Sequence, residues 1–185
     1  MEQHHLCPVW VGYLSLIPLR KLRHNPKKIL GPYIKSGMTV MDYGCAMGFF
    51  SIPMARLVGE CGTVYCVDIQ PEMLERLKKR AEKHGVSNII RPLLVNSDYN
   101  PAELSGKLDF VMLFYVVHEV AEKKQLFADL AMMLKRGGKI LFVEPEGHVT
   151  SDEFEESLKL AAEAGLELTN DKPVRNKLSA ILIKK

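Results

Sequence analysis

Hydrophobic residues from Met38 onward form two alternating kinds of segment. Short apolar runs predict buried strands at 39–43, 63–67, 89–95, 110–114 and 139–143. Between them, apolar residues recur every three or four positions, which predicts amphipathic helices over 71–81, 121–134 and 152–164. Strands that alternate with helices indicate βαβ units. We therefore predict an α/β fold with a parallel sheet and helices on both faces.

Proline and glycine residues mark where these helices begin and end. Pro71 occupies the first position of the helix after the second strand, and Gly85 follows its last turn. The next helix is predicted to end at Gly137 and Gly138, and the last one at Gly165.

The two ends of the chain depart from this alternation. Residues 167–169 and 178–183 predict two strands with no helix between them, which indicates a closing antiparallel hairpin. The first residues are divided by several prolines, and the Asn-Pro pair at 25–26 is typical of a helix start. We predict an N-terminal appendage over 1–36 and one domain over 37–185.

Composition narrows the class of protein. With 47% hydrophobic and 25% charged residues, the 185-residue chain is typical of a soluble globular domain rather than a disordered or fibrous one. The longest nearly apolar stretch, 9–19, is too short to span a bilayer, and we expect no secretory leader. Four cysteines without a Cys-x-x-Cys pair favour a cytoplasmic protein over a disulfide framework.

Charge is distributed unevenly around the net value of +3, because residues 1–36 carry +5 and the other 149 carry −2. Basic charge confined to one short segment predicts no nucleic-acid partner. Three interpretations of that segment stay open. In the first, the segment is a lid over a substrate pocket with Trp10 and Tyr13 as walls. In the second, residues 9–28 make a peripheral membrane contact, and in the third, the segment is an arm that pairs two subunits.

The most informative motif follows the first predicted strand. Residues 40–48 read Val-Met-Asp-Tyr-Gly-Cys-Ala-Met-Gly, so Asp42 precedes Gly44 by two positions and Gly48 closes the loop. Glycine at these positions permits a sharp turn and a close approach of the backbone. A dinucleotide-binding loop has the spacing Gly-x-Gly-x-x-Gly and binds a pyrophosphate, which the Asp42 carboxylate would repel. This loop instead suits a cationic ligand.

Two further carboxylates follow the next two strands. Asp68 ends the second strand, twenty residues after Gly48, where a carboxylate can accept from both hydroxyls of a ribose. Asp98 follows the third strand and can accept from an adenine amino group. Open α/β sheets bind ligands at the carboxyl ends of their strands, so these carboxylates are expected to serve a nucleoside site.

With these motifs, the region 38–185 resembles the class I S-adenosylmethionine-dependent methyltransferases. The resemblance also rests on Leu108 and Asp109 before the fourth strand, the Leu-Lys-Arg-Gly-Gly sequence at 134–138 and the terminal hairpin. It implies a Rossmann-like, seven-stranded sheet of order 3-2-1-4-5-7-6 with strand 7 antiparallel. The loop departs from the family pattern at Ala46, where glycine is frequent, and we expect cofactor binding to survive this change.

The resemblance implies S-adenosylmethionine as cofactor and assigns roles by position. Loop residues 44–48 would contact the methionine part, with Asp42 near its ammonium group through water or the loop amides. Asp68 would bind the ribose, Ile69 would pack on the adenine, and Asp98 would bind its amino group. The full set of predicted cofactor residues is Asp42, Gly44, Cys45, Ala46, Gly48, Asp68, Ile69, Ser97, Asp98 and Phe114.

The family places residues that face the methyl acceptor after the fourth strand. There His118 is the first candidate for a base or an acceptor-orienting group, and Glu119 is the second. Tyr115 would join His118, Trp10 and Tyr13 in the substrate pocket. The Asn-Pro-Pro-Tyr sequence that the family uses to methylate amino groups of nucleobases is missing. We therefore predict a small-molecule acceptor.

Several alternatives stay open. His118 either acts on the acceptor or has a structural role, such as capping the next helix, and the polar residues 144–148 either line the acceptor side or are loop residues. His4, His5 and Cys7 lack a fourth ligand, so we predict no metal site. A cofactor-binding regulator or inactive homologue remains the alternative function, followed by an NAD(P)-dependent oxidoreductase. The acceptor atom and the oligomeric state, monomer or homodimer, are also open.

Overall fold

The computed structural model describes residues 24–171 and 174–185. The first elements are α1 (Pro26–Leu30), β1 (Thr39–Tyr43), α2 (Ser51–Val58), β2 (Thr63–Asp68), α3 (Pro71–Lys83) and β3 (Ile90–Leu94). They are followed by β4 (Leu108–Phe114), α4 (Lys123–Met133), β5 (Leu134–Val143), α5 (Ser151–Glu163), β6 (Leu166–Leu168) and β7 (Ser179–Lys184). Short 3₁₀ helices cover Pro101–Leu104 and Val117–Glu119.

The strands form a seven-stranded sheet in the order β3-β2-β1-β4-β5-β7-β6. The pairs β1–β2, β2–β3 and β4–β5 are parallel, whereas β7 is antiparallel to both β5 and β6. The Rossmann-like fold, the strand order and the terminal hairpin predicted from the sequence are therefore confirmed.

The chain divides into two compact units, one ending at Tyr99 and the other beginning at Asn100. The N-terminal unit contains β1 to β3 and α1 to α3, and the C-terminal unit contains the remaining elements. In both units, successive residues along the inner strands are buried, as in the runs Val40–Met41 of β1 and Val111–Met112 of β4. This burial on both faces explains why these strands read as unbroken apolar runs.

The helix predicted at the Asn-Pro pair is present as α1. The Asn25 side chain accepts hydrogen bonds from the backbone N–H groups of Lys27 and Lys28 at 3.1 and 3.3 Å, and Pro26 takes the first helical position. Ile29 and Leu30 are buried, and α1 packs on α2 within the N-terminal unit. Residues 1–23 of the predicted appendage, including Trp10 and Tyr13, lie outside the described residues.

The helix predicted over 121–134 is present and ends within one residue of the predicted position, but the glycine pair predicted to stop it has another role. The helix α4 ends at Met133 and β5 begins at Leu134, so Gly137 and Gly138 lie inside β5. The pairing of β5 with β4 shifts its register across residues 135–138, which form a bulge. Gly137 has φ 77° in this bulge, so the glycine pair serves an irregular strand instead of ending a helix.

Aromatic packing connects the helices of the C-terminal unit to β5. Phe142 on β5 is fully buried, and its ring centroid lies 5.8 Å from that of Phe127 on α4 and 4.7 Å from that of Phe154 on α5. Removing this ring would leave a cavity among side chains from three elements.

We expect Phe142→Ala to lower the free energy of unfolding by about 3–5 kcal/mol, because a buried aromatic side chain and its contacts are lost. Urea denaturation followed by circular dichroism measures the change. The control is Leu168→Ala on β6, a side chain that is 61% exposed, where a change within about 0.5 kcal/mol is expected. Equal midpoints for Phe142→Ala and the unmodified protein would contradict the packing described.

Candidate functional site

The glycine loop lies between β1 and α2 in the N-terminal unit, and the end of β2 holds its backbone. The N–H groups of Gly44 and Cys45 donate to the carbonyl oxygen of Val67 at 2.8 and 3.0 Å. The N–H of Ala46 donates to Oδ2 of Asp68 at 2.9 Å. Strand β2 therefore contributes a main-chain carbonyl and a carboxylate that together define the loop conformation.

Three loop residues adopt the left-handed backbone region. Gly44 and Gly48 have φ 75° and 79°, and Ala46 has φ 45°. The conformation costs a residue with a Cβ about 1–2 kcal/mol, which gives a physical reason for the glycine often found at the position of Ala46. At Gly48 space is also limited, because a Cβ there would lie 2.2 Å from Cδ1 of Leu77 on α3.

Asp42 is buried beneath the loop at the end of β1. Its side chain is 4% exposed, and Oδ2 accepts a hydrogen bond of 2.5 Å from the hydroxyl of Ser51, the first residue of α2. Its burial is consistent with the indirect role predicted for it, through the loop amides or water. The nearby Cys45 is also buried, and this burial raises the pKa of its thiol.

Asp68 and Ile69 present a carboxylate next to an exposed apolar side chain. Oδ1 of Asp68 accepts from the N–H of Gln70 at 2.9 Å, and Oδ2 accepts from Ala46. Partial burial raises the pKa of Asp68, and these two hydrogen bonds oppose that rise. Each carboxylate oxygen can accept a second hydrogen bond. Because Ile69 is 49% exposed, the pair suits a ligand with hydroxyl groups beside a flat apolar ring.

The other predicted cofactor residues, Ser97, Asp98 and Phe114, lie on later segments of the chain. Ser97 and Asp98 are exposed in the loop after β3, where the Ser97 hydroxyl donates to Oδ1 of Asp98 at 3.4 Å. Phe114 ends β4 in the C-terminal unit and is buried, with its ring centroid 4.5 Å from that of Tyr115. The structure thus brings together the loop, Asp42 and Asp68 within one unit.

Arg80 also positions the loop, and the sequence analysis missed it. Its guanidinium Nη1 donates a hydrogen bond to the carbonyl oxygen of Met47. Half-burial on α3 lowers the pKa of this side chain. The sequence carries one indication of this contact. Arg80 follows the buried Leu77 by three positions, so a helix places the two side chains on adjacent parts of one face.

A histidine–carboxylate pair lies in the C-terminal unit. His118 belongs to the 3₁₀ helix Val117–Glu119 after β4, and Glu144 directly follows β5. Oε1 of Glu144 accepts from the N–H of Val117 at 2.9 Å, and Oε2 is hydrogen-bonded to Nδ1 of His118. The N-cap of α4 is Glu122, so capping this helix is not the role of His118.

The surroundings of His118 raise its pKa. The hydrogen bond to Glu144 is the largest cause, burial opposes it, and the charge of Glu119 adds to the rise while that of Lys123 lowers it. The ring of His148 stacks parallel to that of His118, with centroids 6.4 Å apart. His118 was predicted from the sequence, whereas Glu144 was only one of residues 144–148, which were expected either to line the acceptor side or to be loop residues. The sequence does not show that this glutamate is buried.

The backbone is strained at Tyr115, three residues before His118. Tyr115, a predicted pocket residue, has φ 64°, and its N–H donates to the carbonyl oxygen of Val143 at 2.8 Å. Positive φ at a residue with a large side chain is uncommon outside sites where the surroundings impose it.

Within residues 24–171 and 174–185, no three His, Cys, Asp or Glu side chains are grouped so that they could hold a metal ion. His4, His5 and Cys7 lie outside these ranges. In the same part of the chain, no helix has the length and hydropathy needed to cross a membrane.

We expect Gly48→Ala to lower the free energy of unfolding more than Gly85→Ala does. Both glycines have left-handed backbone, at φ 79° and 68°, but a Cβ at Gly85 would meet no atom within 4 Å. The shared strain costs about 1–2 kcal/mol, and crowding against Leu77 adds about 1–3 kcal/mol at Gly48 alone. Urea denaturation of both variants measures the difference, and equal losses would show that the loop does not need the close approach.

Comparison with known proteins finds a family model and curated proteins that are similar to this chain. Residues 34–177 match a family model described as "Methyltransferase domain". Among curated proteins, an aklanonic acid methyltransferase of Streptomyces sp. strain C5 is 34% identical over 110 residues, which cover 60% of this chain and 49% of that protein. A ubiquinone/menaquinone biosynthesis C-methyltransferase of Haemophilus ducreyi is 29% identical over 111 residues, covering 60% and 42%. The chain spans about half the length of these relatives or less.

Solved structures share the fold at lower identity. A SAM-dependent methyltransferase from Aquifex aeolicus superposes with a TM-score of 0.81 and 23% identity, covering 96% of this chain and 97% of that one. A SAM-dependent O-methyltransferase from Thermotoga maritima gives a TM-score of 0.65 and 20% identity, covering 86% and 64%. The arrangement of strands and helices is therefore one that such enzymes also have.

Proposed function

This chain belongs to the methyltransferase domain family, and on that premise we propose that it transfers a methyl group from S-adenosylmethionine to a small organic acceptor. The observation that carries the proposal is the Asp68 carboxylate, which ends β2 and accepts from the amide of Ala46 in the glycine loop. The names of the relatives support the same reaction class. The predicted membership of the methyltransferase family is confirmed.

The N-terminal unit has groups that fit each part of the cofactor. Asp68 would accept from the ribose hydroxyls, and the exposed Ile69 would pack on the adenine. Amides of loop residues 44–48 would bind the methionine part, while the buried Asp42 adds negative charge beneath a ligand that is cationic. We retain Asp98 as the proposed partner of the adenine amino group, and Ser97 and, from the C-terminal unit, Phe114 as further proposed cofactor residues. When bound, S-adenosylmethionine supplies an electrophilic methyl group on a positively charged sulfur.

The C-terminal unit supplies the candidate for proton transfer. Methyl transfer is an in-line displacement, so orientation of the reactants provides much of the rate. A base contributes when the reacting atom of the acceptor carries a proton. We propose His118 for this role, with Tyr115 as a wall of the acceptor site and Glu119 as a second polar group near the His118 ring.

The acceptor is proposed to be a small organic molecule and not a nucleic acid. One relative is named for aklanonic acid, and another for C-methylation in ubiquinone/menaquinone biosynthesis. The basic charge of the chain is concentrated in residues 1–36, so no basic stripe is expected across the catalytic domain.

Three proposals concern the chain as a whole. We retain the interpretation of residues 1–36 as a lid, with Trp10 and Tyr13 facing the acceptor, and the alternative of a peripheral membrane contact through residues 9–28. Location in the cytoplasm is proposed from the cysteine pattern, and Cys45, Cys61 and Cys66 are free thiols. The protein is proposed to act as a monomer or a homodimer.

We expect Asp68→Asn to weaken binding of S-adenosylhomocysteine roughly 10- to 150-fold, because a charge-assisted hydrogen bond is worth about 1.5–3 kcal/mol. Isothermal titration calorimetry measures the dissociation constant. The matched control is Asp171→Asn, an exposed aspartate of the C-terminal unit, which should bind like the unmodified protein. Binding of NAD without binding of S-adenosylmethionine would instead support the oxidoreductase alternative.

We expect His118→Asn to lower kcat about 100- to 10,000-fold for an acceptor that must lose a proton, with unchanged affinity for S-adenosylhomocysteine. Methyl transfer is followed by mass spectrometry with a panel of phenols, quinols, carboxylic acids, amines and thiols. The control is His84→Asn, an exposed histidine that pairs with Arg56 on the N-terminal unit. Binding of the cofactor without turnover of any acceptor class would favour the regulator alternative.

A further inference from the structure

We infer that Glu144 is a positioning residue that holds His118 with Nε2 toward the acceptor, and that the acceptor is methylated through an acidic hydroxyl group, as in a phenol or an enol. The inference rests on the proposed methyl transfer and deepens it in two respects. It adds a residue that acts through His118, and it names the chemical class of the substrate.

Glu144 is a buried carboxyl side chain. It is 2% exposed and follows the buried strand β5. An ionised carboxylate without partners is unfavourable at such a position, so its hydrogen bonds determine whether the charge is tolerated. A glutamate whose only role was to pack in the core could be replaced by an apolar residue without this cost.

Both oxygens of the Glu144 carboxylate bind the same short helix. Oε1 accepts from the N–H of Val117 at 2.9 Å, and Oε2 is hydrogen-bonded to Nδ1 of His118. The backbone of Glu144 is held as well, because its N–H donates to the carbonyl oxygen of Leu178 and its own carbonyl accepts from Nδ2 of Asn176, both at 2.9 Å. A rigidly held carboxylate therefore sets the position and the ring orientation of His118.

This pairing determines which nitrogen of His118 can take a proton. An ionised carboxylate only accepts hydrogen bonds, so the proton of the neutral imidazole lies on Nδ1 and the lone pair on Nε2. Nε2 lies 3.9 Å from Oε1 of Glu119, which is longer than a hydrogen bond, and the His118 side chain is 26% exposed. The Nδ1 side of the ring is thus held by a buried carboxylate, whereas the His118 side chain as a whole is partly exposed.

The proton that His118 can take narrows the acceptor to groups that lose a proton on methylation, and among these we infer an acidic hydroxyl. The acceptor oxygen forms a bond to the methyl carbon, the carbon–sulfur bond breaks with its electron pair remaining on sulfur, and the hydroxyl proton passes to Nε2. The resulting imidazolium is paired with Glu144 and later releases the proton to water. Imidazole can take a proton from a phenol-like hydroxyl, with a pKa of about 10, far more readily than from an aliphatic alcohol. Tertiary amines and thioethers carry no proton to remove.

The charges around the ring define the expected pH dependence. Glu144 and Glu119 raise the pKa of His118, whereas burial and Lys123 lower it, and the His148 ring stacks beside it. Neutral His118 is the form that accepts a proton. Activity should therefore rise with pH through the raised pKa of this residue. Removing the negative charge of Glu144 should lower that pKa and move the rise in activity to lower pH.

The first test measures the protonation of His118 beside Glu144 and needs no methyl acceptor. Long-range ¹H–¹⁵N correlation spectra of the full chain, titrated over pH, report the pKa and the tautomer of His118, with His118→Asn identifying its signals. We expect the Nδ1–H tautomer in the unmodified protein and a lower pKa in Glu144→Gln. The control is Glu146→Gln, an exposed glutamate whose Oε1 accepts from the N–H of Lys177. An unchanged pKa and tautomer in Glu144→Gln would overturn the inference.

The second test measures kcat and KM over pH with hydroquinone and catechol as hydroxyl acceptors, and with trimethylamine and dimethyl sulfide as acceptors without a removable proton. We expect turnover of the hydroxyl class. Glu144→Gln should lower plateau kcat at least about tenfold and shift the pH profile downward, with KM for S-adenosylmethionine unchanged. In a His118→Asn background, Glu144→Gln should lower kcat no further. Turnover of only the amine or the thioether would overturn the substrate class.

The role of Glu144 and the proposed methyl transfer can be rejected by different results. If Glu144→Gln does not fold, Glu144→Asp provides the shorter carboxylate, for which a lowered kcat with the charge retained is expected. Equal effects of Glu144→Gln with and without His118 would reduce Glu144 to a structural residue while methyl transfer stands. Failure of the unmodified protein to bind S-adenosylhomocysteine would instead reject the proposed function, whatever the His118 titration shows.

Discussion

The hydrogen bond between the Asp68 carboxylate and the amide of Ala46 is the contact on which the candidate cofactor site depends. It forms because β1 and β2 pair in parallel with Tyr43 opposite Val67, so the residues that follow both strands meet at one edge. The same carboxylate then has two roles, since it holds a loop with left-handed residues and retains lone pairs for a ligand. Loop conformation and ligand recognition are consequently coupled through one side chain.

The C-terminal unit uses a carboxylate in a comparable way. Glu144 follows β5 as Asp68 ends β2, and its oxygens bind the segment that follows β4. The two carboxylates differ in burial, because Glu144 is almost completely enclosed whereas Asp68 is only partly so. Burial suits a residue that orients another side chain, and partial exposure suits a residue that itself contacts a ligand.

Strand positions, the glycine loop and the terminal hairpin could be predicted because each depends on residues that are close along the chain. Period and apolar character identify a buried strand, and a cap followed by proline identifies the start of α1. The role of Gly137 and Gly138 was predicted wrongly, since a glycine pair is typical both of a helix stop and of a strand bulge. Only the register of β5 against β4 distinguishes the two.

The amino-acid sequence by itself determined the family resemblance, the strand order that it implies, and the residue types at the loop and at Asp68, because these are encoded in local spacing. Tertiary structure decided that Asp42 bonds Ser51 beneath the loop, that Arg80 reaches the carbonyl of Met47, and that Glu144 is the partner of His118. In the last two cases, 33 and 26 residues separate the partners. Contacts of this kind depend on how strands and helices pack, and no periodicity within a short segment records them.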